Sequence, residues 1–383
     1  MSVAESPNLK PQAKLLGVVC GFVLLGILSA GLWPFHAPRN EVSWLSGGNG
    51  LLFGKHGSIV SASPLEASGS QADKSCSLEI WLEPRQANSE GTVLAIYWPA
   101  SRVISFALRQ WRNGLVLERE SRGHSAWEAS IYVADVFRGP KPVFFTISSG
   151  KAGTAIYADG TLVRKSPDFK LISQDLSGEF IVGNGPLTTN NWSGQVKGLA
   201  VYNRELPAVK VSQDYANWTA GWTTSGRPDT AKSEGVVARY LFDEGKGNIV
   251  HNQVDSATSL LIPERFFILH EQFLERPWDE FRTGWRYWKD VGVNVAGFIP
   301  LGFFFRAYFS AIGRAKRTTW LTIVLGFVVS FTIEVLQAFL PTRDSGMTDL
   351  ITNTFGTALG AILCGWSMKR NWFARAGISP ATN

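Results

Sequence analysis

The chain has 383 residues, 45% of them hydrophobic, and a formal net charge of +6. Its length favours about two or three folding units. The positive residues lie in tails and short loops and do not form a basic face with interleaved aromatic residues, so no nucleic-acid partner is predicted. The three cysteines and five histidines give neither a disulfide framework nor a zinc pattern, and no cofactor is predicted. Apolar residues are concentrated at both ends, which indicates a membrane protein with a large water-soluble insert.

The first apolar run, residues 15–35, is uncharged and long enough to cross a bilayer. Lys10 and Lys14 flank its start, and residues 1–14 are predicted to be cytoplasmic. We predict that the run is a membrane-spanning helix. A cleaved signal peptide is the alternative, because small residues at 29–31 resemble a weak cleavage site. Both interpretations place residue 40 onward outside the cytoplasm.

Residues 41–262 contain short alternating segments separated by turn residues, which predicts an all-β sandwich or jelly roll. Asp159-Gly160, between two alternating runs, predicts a β-hairpin. The predicted strands are residues 77–84, 91–98, 104–110, 114–120, 143–149 and 154–165.

The segments SLEIWLEP, VFFTISSGKAGTAIYADGTLVRK, GEFIVGNGP and WSGQVKGLAVYNRELP follow one another in this order. This order resembles the laminin G-like and concanavalin A-like lectin sandwich. The resemblance implies a two-sheet module that binds sugar or protein. Some relatives are glucanases with an E-x-D-x-x-E carboxylate set, but Glu79 and Glu83 do not match that spacing, so a hydrolase is disfavoured.

Two further features of the sandwich admit both a binding and a structural role. Calcium could be held by Asp159, or by Asp243 with Glu244, but a role in turns is the favoured alternative. Tryptophans could stack on sugars, although aromatic residues in a sandwich more often belong to the core. The tryptophans considered are Trp81, Trp98, Trp111, Trp127, Trp192, Trp218 and Trp222.

Residues 263–289 are dense in Phe, Trp, Arg and Glu, which is typical of a helix at the membrane surface. We predict an interfacial helical segment here with a break near Pro277. The alternative is a linker helix packed on the sandwich.

Residues 290–368 contain three more apolar runs, predicted to span the membrane at about 291–311, 319–340 and 349–367. Positive residues lie between the first two runs and in the tail, residues 369–383. The positive-inside rule therefore predicts about four spans in total, both termini in the cytoplasm and the sandwich outside.

Polar residues within these runs recur at helical spacing, so each run carries a polar stripe on one face. Ionisable groups inside a membrane span are costly, which makes them candidate functional residues. The candidate intramembrane site comprises Asp290, Asn294, Glu334, Gln337, Arg343, Asp349 and Asn353. The fork of Arg343 suits pairing with a carboxylate.

This stretch also resembles a known family. The residues concerned are the run from Asn294 to Gly302, Ser330, Ile333-Glu334, Gln337, Arg343, Asp349, Asn353, Gly356 and Gly360. Their order resembles the VanZ-like membrane family, which is associated with glycopeptide resistance and has no established catalytic mechanism. The resemblance implies a function in the bacterial cell envelope at the cytoplasmic membrane. It also implies that the family's first helix is residues 15–35, returned to the others across the sandwich.

Three hypotheses follow for function. The favoured one is a non-enzymatic envelope protein in contact with membrane lipids, whose lectin-like module binds glycan or a partner protein. The second is a membrane enzyme that uses Glu334 or Asp349 as acid or base on a lipid-linked substrate. The third is a small transporter of an envelope lipid. The polar groups have a purely structural alternative, since acids and amides hydrogen-bond across helices. The oligomeric state stays open.

Overall fold

A computed structural model describes residues 11–67, 75–100, 103–120, 127–139, 141–187, 189–220, 235–270, 272–281, 284–313 and 317–369. The chain divides into two compact units. The helical unit comprises Met1–His36 with Gln272–Asn383, and the sandwich unit comprises Ala37–Glu271.

Helices and strands follow the apolar patterning of the sequence. In chain order the helices are α1 (Pro11–Leu32), α2 (Ala208–Thr219), α3 (Pro277–Glu280), α4 (Trp285–Ala311), α5 (Thr318–Gln337) and α6 (Met347–Lys369). The strands are β1 (Val42–Trp44), β2 (Leu51–Phe53), β3 (Ile59–Ser61), β4 (Cys76–Pro84), β5 (Ser89–Trp98), β6 (Val103–Arg112), β7 (Gly114–Glu120), β8 (Trp127–Val133), β9 (Val143–Gly150), β10 (Gly153–Ala158), β11 (Thr161–Ser166), β12 (Glu179–Val182), β13 (Gly194–Tyr202), β14 (Val236–Tyr240), β15 (Ile249–Val250) and β16 (Leu260–Leu261).

The strands form two antiparallel sheets, each of eight strands within the described residues. The first has the order β1-β2-β13-β4-β9-β10-β11, with β14 also paired to β13, and the second has the order β15-β16-β3-β12-β5-β6-β7-β8. Inward-facing side chains of both sheets share one buried apolar cluster. The structure confirms the predicted two-sheet sandwich.

The turn between β10 and β11 forms the predicted hairpin. Asp159 and Gly160 both have positive φ, 50° and 75°, and join β10 to β11 in a hairpin. Positive φ at two successive positions matches the twist of paired strands and favours Asp-Gly.

The outer face of the first sheet is covered by α2. Phe144 on β9 packs against Trp218 on α2, so β9 is buried on both faces. A Cβ on Gly198 would lie 2.4 Å from the Trp218 ring. The missing side chain on β13 therefore lets the tryptophan lie directly on the sheet.

In the helical unit, glycines allow α4 and α6 to pack closely. A Cβ on Gly302 of α4 would lie 2.0 Å from the Thr357 carbonyl oxygen, and a Cβ on Gly360 of α6 would lie 2.0 Å from that of Ile299. Such small-residue seams are common where helices associate in membranes. The α1 helix packs against α4 and α5 through Leu28 and its neighbours. Residues before and after the sandwich therefore form one helical unit.

The predicted number of membrane spans needs correction. Within the described residues, three helices are long and apolar enough to cross a membrane: Pro11–Leu32, Tyr287–Ala311 and Thr318–Gln337. The prediction of four spans was wrong, because α6 carries Asp349, Asn353 and several threonines and glycines. Residues 370–383 of the predicted cytoplasmic tail lie outside the described part.

The described part of 263–289 is not one helix, since helix occurs only in α3 and from Trp285 onward. Its backbone groups have partners distant in sequence. The Phe266 N–H donates to the Pro38 carbonyl at 3.0 Å, and the Glu275 carbonyl accepts the Met347 N–H at 2.9 Å. Pro277 begins α3 where a helix break was predicted.

Candidate functional site

The carboxylate of Glu334 accepts a hydrogen bond from a backbone N–H group just before α6. The residue lies on α5 with 1% of its surface exposed, and its Oε2 accepts the Gly346 N–H at 2.8 Å. Oε2 of Glu280, on α3, accepts the Thr348 N–H at 3.0 Å. The first N–H groups of a helix lack intrahelical partners, and the helix dipole favours negative charge there. The two carboxylates therefore stabilise the N-terminal end of α6.

Glu280 was missed by sequence reasoning. Its partner Thr348 lies 68 residues away, and no local pattern links the two. The sequence feature that could have pointed to Glu280 is an acidic residue shortly after Pro277, where α3 begins.

Two amide side chains connect α6 to its neighbours. Asn294 on α4 donates to Asp349 Oδ1 at 2.7 Å, and Asn353 on α6 donates to Ser330 Oγ on α5 at 3.0 Å. Asp290 is exposed on α4 and does not share these hydrogen bonds. The structure thus brings four predicted residues to contacts of α6, namely Asn294, Glu334, Asp349 and Asn353.

Arg343 and Gln337 bind the end of α1 instead. Arg343 donates to the Trp33 carbonyl from Nε at 2.9 Å and from Nη2 at 2.7 Å, while Gln337 donates to the Gly31 carbonyl at 2.9 Å. The expected pairing of Arg343 with a carboxylate does not occur within the described residues. The last carbonyls of a helix lack intrahelical partners and attract cations. This explains why Arg343 binds a backbone carbonyl at the end of α1 and not a carboxylate.

Two amide oxygens in this region are buried without a partner among the described residues. They are Gln337 Oε1 and Asn353 Oδ1, and their side chains are 7% and 5% exposed as residues. A buried carbonyl oxygen without a donor is costly. The polar side chains of the helical unit therefore act mainly as interhelical contacts, but these two amide oxygens are left without a donor.

The sandwich contains an open cleft of about 990 Å³ beside β8 and β11, which end the two sheets. Ile131, Val133 and Val143 are buried apolar lining residues. Tyr132, 44% exposed, also lines the cleft, and its ring lies over Gly114. Side chains alternate along β8, so the apolar floor and the Tyr132 ring lie on opposite faces of this edge strand.

The cleft is lined by more basic than acidic side chains. Arg138, Lys141 and Arg164 line it, and all are exposed. Its two acids are engaged in turns: Asp135 Oδ1 accepts from Asn113 at 2.6 Å, and Asp159 Oδ1 accepts the Phe144 N–H at 2.9 Å. None of the three cations has an acidic partner within the described residues.

Glu79 and Glu83, the two acids that do not match the glucanase spacing, do not line the cleft at β8 and β11. Glu79 lies on β4 beneath α2 with 0% exposure, and its Oε2 accepts from Tyr202 Oη at 2.8 Å and from Trp218 Nε1 at 3.1 Å. Burial, together with the nearby Asp214 charge, raises the pKa of Glu79 to about 7. Glu83 pairs with Lys197 at 3.8 Å.

The candidate calcium residues serve as turn acceptors. Glu244 Oε1 accepts the His251 N–H at 2.6 Å, and Asp159 holds the hairpin described above. The residues that the structure describes contain no group of three or more His, Cys, Asp or Glu side chains placed for a metal ion. Asp243 has no such group around it in that part of the chain.

The tryptophans divide between core and surface. Trp192 and Trp218 are buried, whereas Trp111 is 42% exposed. Trp81 and Trp98 are half-buried, and the Trp98 indole donates to the Ser177 carbonyl. Residue 222 and the side chain at 127 lie outside the described part of the chain.

Two protein families match different parts of the chain. Residues 238–368 match the VanZ/LLP1 family, and residues 56–212 match the concanavalin A-like lectin/glucanases superfamily. Both predicted resemblances are confirmed. The VanZ-like match begins within β14, so it includes the last strands of the sandwich as well as α3 to α6. Comparison with characterised proteins gave no match.

Solved structures resemble the sandwich in fold. A SAP-like pentraxin from Limulus polyphemus is 14% identical with a TM-score of 0.32, over 46% of this chain and 78% of the pentraxin. A candidate carbohydrate-binding protein of Bacteroides ovatus is 12% identical with a TM-score of 0.38, over 59% and 58% of the two chains. The CBM40 of a Ruminococcus gnavus IT-sialidase, bound to α2,3-sialyllactose, is 14% identical with a TM-score of 0.33, over 44% and 96%. At these identities the likeness concerns the fold alone.

Proposed function

We propose that this VanZ-like membrane protein acts in the bacterial cell envelope and displays its lectin-like sandwich outside the cytoplasmic membrane, where the sandwich binds glycan. One observation carries the proposal. The sandwich has an open, polar-rimmed cleft at β8 and β11, whereas the polar groups of the helical unit are largely engaged with one another.

The cleft has the two features that carbohydrate recognition needs. Strands at sheet edges leave backbone N–H and C=O groups unpaired, and these can bond to sugar hydroxyls. The half-exposed ring of Tyr132 offers an apolar face on which a sugar ring can lie. A partner protein is the alternative ligand, since an edge strand can also pair with a peptide.

The orientation follows from charge. The connection between α4 and α5 contains Arg314, Lys316 and Arg317, which the positive-inside rule assigns to the cytoplasm. With α4 and α1 as spans, the sandwich between them then lies on the opposite side of the membrane.

The test uses full-length protein in nanodiscs of zwitterionic lipid, probed with an array of bacterial glycans. We expect saturable binding that Tyr132→Ala weakens. Trp111→Ala is the matched control, because Trp111 is exposed to a similar extent, 42%, but does not line the cleft. Absence of saturable glycan binding, or equal loss in the two variants, would contradict the proposal.

A second candidate function is recognition of a lipid headgroup by the helical unit. It is favoured by the two buried acceptors without a donor, Gln337 Oε1 and Asn353 Oδ1. A headgroup carrying hydroxyl or ammonium donors would satisfy them. Lipid co-purified with the wild-type protein, and lost from Asn353→Leu but not from an exposed α6 substitution such as Ile362→Ala, would support this function.

A further inference from the structure

The strongest unassigned feature is the charge of the cleft at β8 and β11. Its lining contains three cations and two acids, so the formal balance is only slightly positive. Both acids accept hydrogen bonds, Asp135 from the Asn113 amide and Asp159 from the Phe144 N–H on β9, and both keep their negative charge. The cations exceed the acids by one, and Arg138, Lys141 and Arg164 are all exposed, so their charged groups can reach a ligand.

These cations come from different elements. Arg138 and Lys141 lie on the connection between β8 and β9, and Arg164 lies on β11. Arg138 donates from Nε to the backbone carbonyl oxygen of Asp135 at 3.2 Å. Cations contributed by separate elements suit a ligand with single negative charges repeated along its length better than one compact dianion. Edge-strand backbone groups and the hydroxyls of Ser130, Thr161 and Ser166 add hydrogen bonds to neutral parts of the same ligand.

We propose that the cleft between β8 and β11 binds an acidic polysaccharide whose repeating units carry carboxylate groups. This rests on the proposed function, since it names the class of glycan for the same cleft. Arg164 and Lys141 pair with successive carboxylates, while the Tyr132 ring contacts a sugar ring. Because the cations are exposed, binding weakens as salt screens the charges.

The experiment compares polygalacturonate with dextran, a neutral polysaccharide, on full-length protein in phosphatidylcholine nanodiscs. We expect polygalacturonate to bind and the double variant Lys141→Glu/Arg164→Glu to bind about tenfold more weakly, as expected for reversing two exposed charge contacts. The matched control is Lys151→Glu/Lys165→Glu. It makes the same change in net charge with two exposed lysines that do not line the cleft, one of them next to Arg164 on β11.

Each outcome decides between the two proposals. Loss of polygalacturonate binding in Lys141→Glu/Arg164→Glu, but not in Lys151→Glu/Lys165→Glu, supports the carboxylate-glycan assignment. Both variants must keep the wild-type circular dichroism spectrum and elution volume. Equal loss in both variants would mean a non-specific charge effect and overturn the assignment. Binding of dextran as tightly as polygalacturonate, weakened by Tyr132→Ala, would overturn it and leave the glycan-binding function intact. Binding of neither polysaccharide nor any arrayed glycan, with capture of an extended peptide instead, would overturn both.

Discussion

At the scale of single residues, Glu79 is an acid that the fold keeps from water. Burial and the neighbouring Asp214 raise its pKa to about 7, from an ordinary value of 4.5. The folded state therefore holds the proton more tightly than the unfolded chain does. The contribution of Glu79 to stability is fully present below about pH 4.5 and is lost as the pH rises through about 7.

We expect Glu79→Gln to remove this pH dependence. The glutamine stays neutral and keeps an oxygen that can accept from Tyr202 and Trp218. The variant should match the wild type at about pH 5 and exceed it in unfolding free energy, by up to about 3 kcal/mol, at about pH 8. Thermal unfolding followed by tryptophan fluorescence measures the difference. Glu90→Gln, at an exposed position, is the control. If the unfolding free energy of Glu79→Gln changed with pH in parallel with that of the wild type, the raised pKa of Glu79 would be contradicted.

Glu334 allows a second test, because its contact needs an acceptor and not a charge. A glutamine can still accept the Gly346 N–H, whereas an alanine leaves that buried donor unpaired. We expect Glu334→Ala to lose about 1–3 kcal/mol of unfolding free energy in detergent and Glu334→Gln to lose much less. Asp344→Ala, at an exposed acid, should be neutral. If glutamine proves as damaging as alanine, the carboxylate charge is required, and an acid–base role for Glu334 gains support.

The sequence predicted these polar positions but not their partners. Helical spacing identified Glu334, and Arg343 was singled out as the arginine near the acidic residues. Their partners are backbone groups, the Gly346 N–H and the Trp33 carbonyl, the latter 310 residues from Arg343. Every residue offers such groups, so a side-chain pattern cannot indicate which one is used. The expected Arg343–carboxylate pair failed for this reason.

At the scale of elements, the seam between α4 and α6 depends on glycine. A Cβ on Gly360 would lie 2.0 Å from the Ile299 carbonyl oxygen, whereas a Cβ on Gly297 of α4 would meet nothing within 4 Å. We expect Gly360→Ala to force the helices apart and cost about 1–3 kcal/mol. Gly297→Ala should be neutral or stabilise α4 by up to about 1 kcal/mol through helix propensity. Thermal unfolding in detergent compares the two. A Gly360→Ala variant as stable as Gly297→Ala would mean that the seam is loose.

Elements defined by local chemistry were predicted well, and those defined by distant partners were not. The β10–β11 hairpin follows from Asp159-Gly160 and the alternating residues around it. The segment 263–289 has helix-like composition, but Phe266 and Glu275 hydrogen-bond to residues far away in the chain. Composition cannot reveal such partners, and the helix predicted before the break at Pro277 is not present in the described residues. The cleft at β8 and β11 was also missed, because it requires the order of strands in both sheets.

At the scale of the whole molecule, the arrangement of spans determines what the sandwich can reach. Three helices qualify as spans, and two of them, α1 and α4, flank the sandwich in the sequence. The sandwich and the connection between α4 and α5 should therefore lie on opposite sides of the membrane, with the cationic connection in the cytoplasm. Only a sandwich outside the cytoplasm could meet an envelope polysaccharide.

Single cysteines test this orientation without disturbing the fold. The native cysteines, Cys20, Cys76 and Cys364, are buried, so folded wild-type protein should react little with a membrane-impermeant maleimide. Lys151→Cys, in the turn between β9 and β10, should react in spheroplasts of the expression host. Arg317→Cys, exposed before α5, should react only after lysis. The reverse pattern would place the sandwich in the cytoplasm and exclude envelope glycans as its ligands, whatever the cleft binds in purified protein.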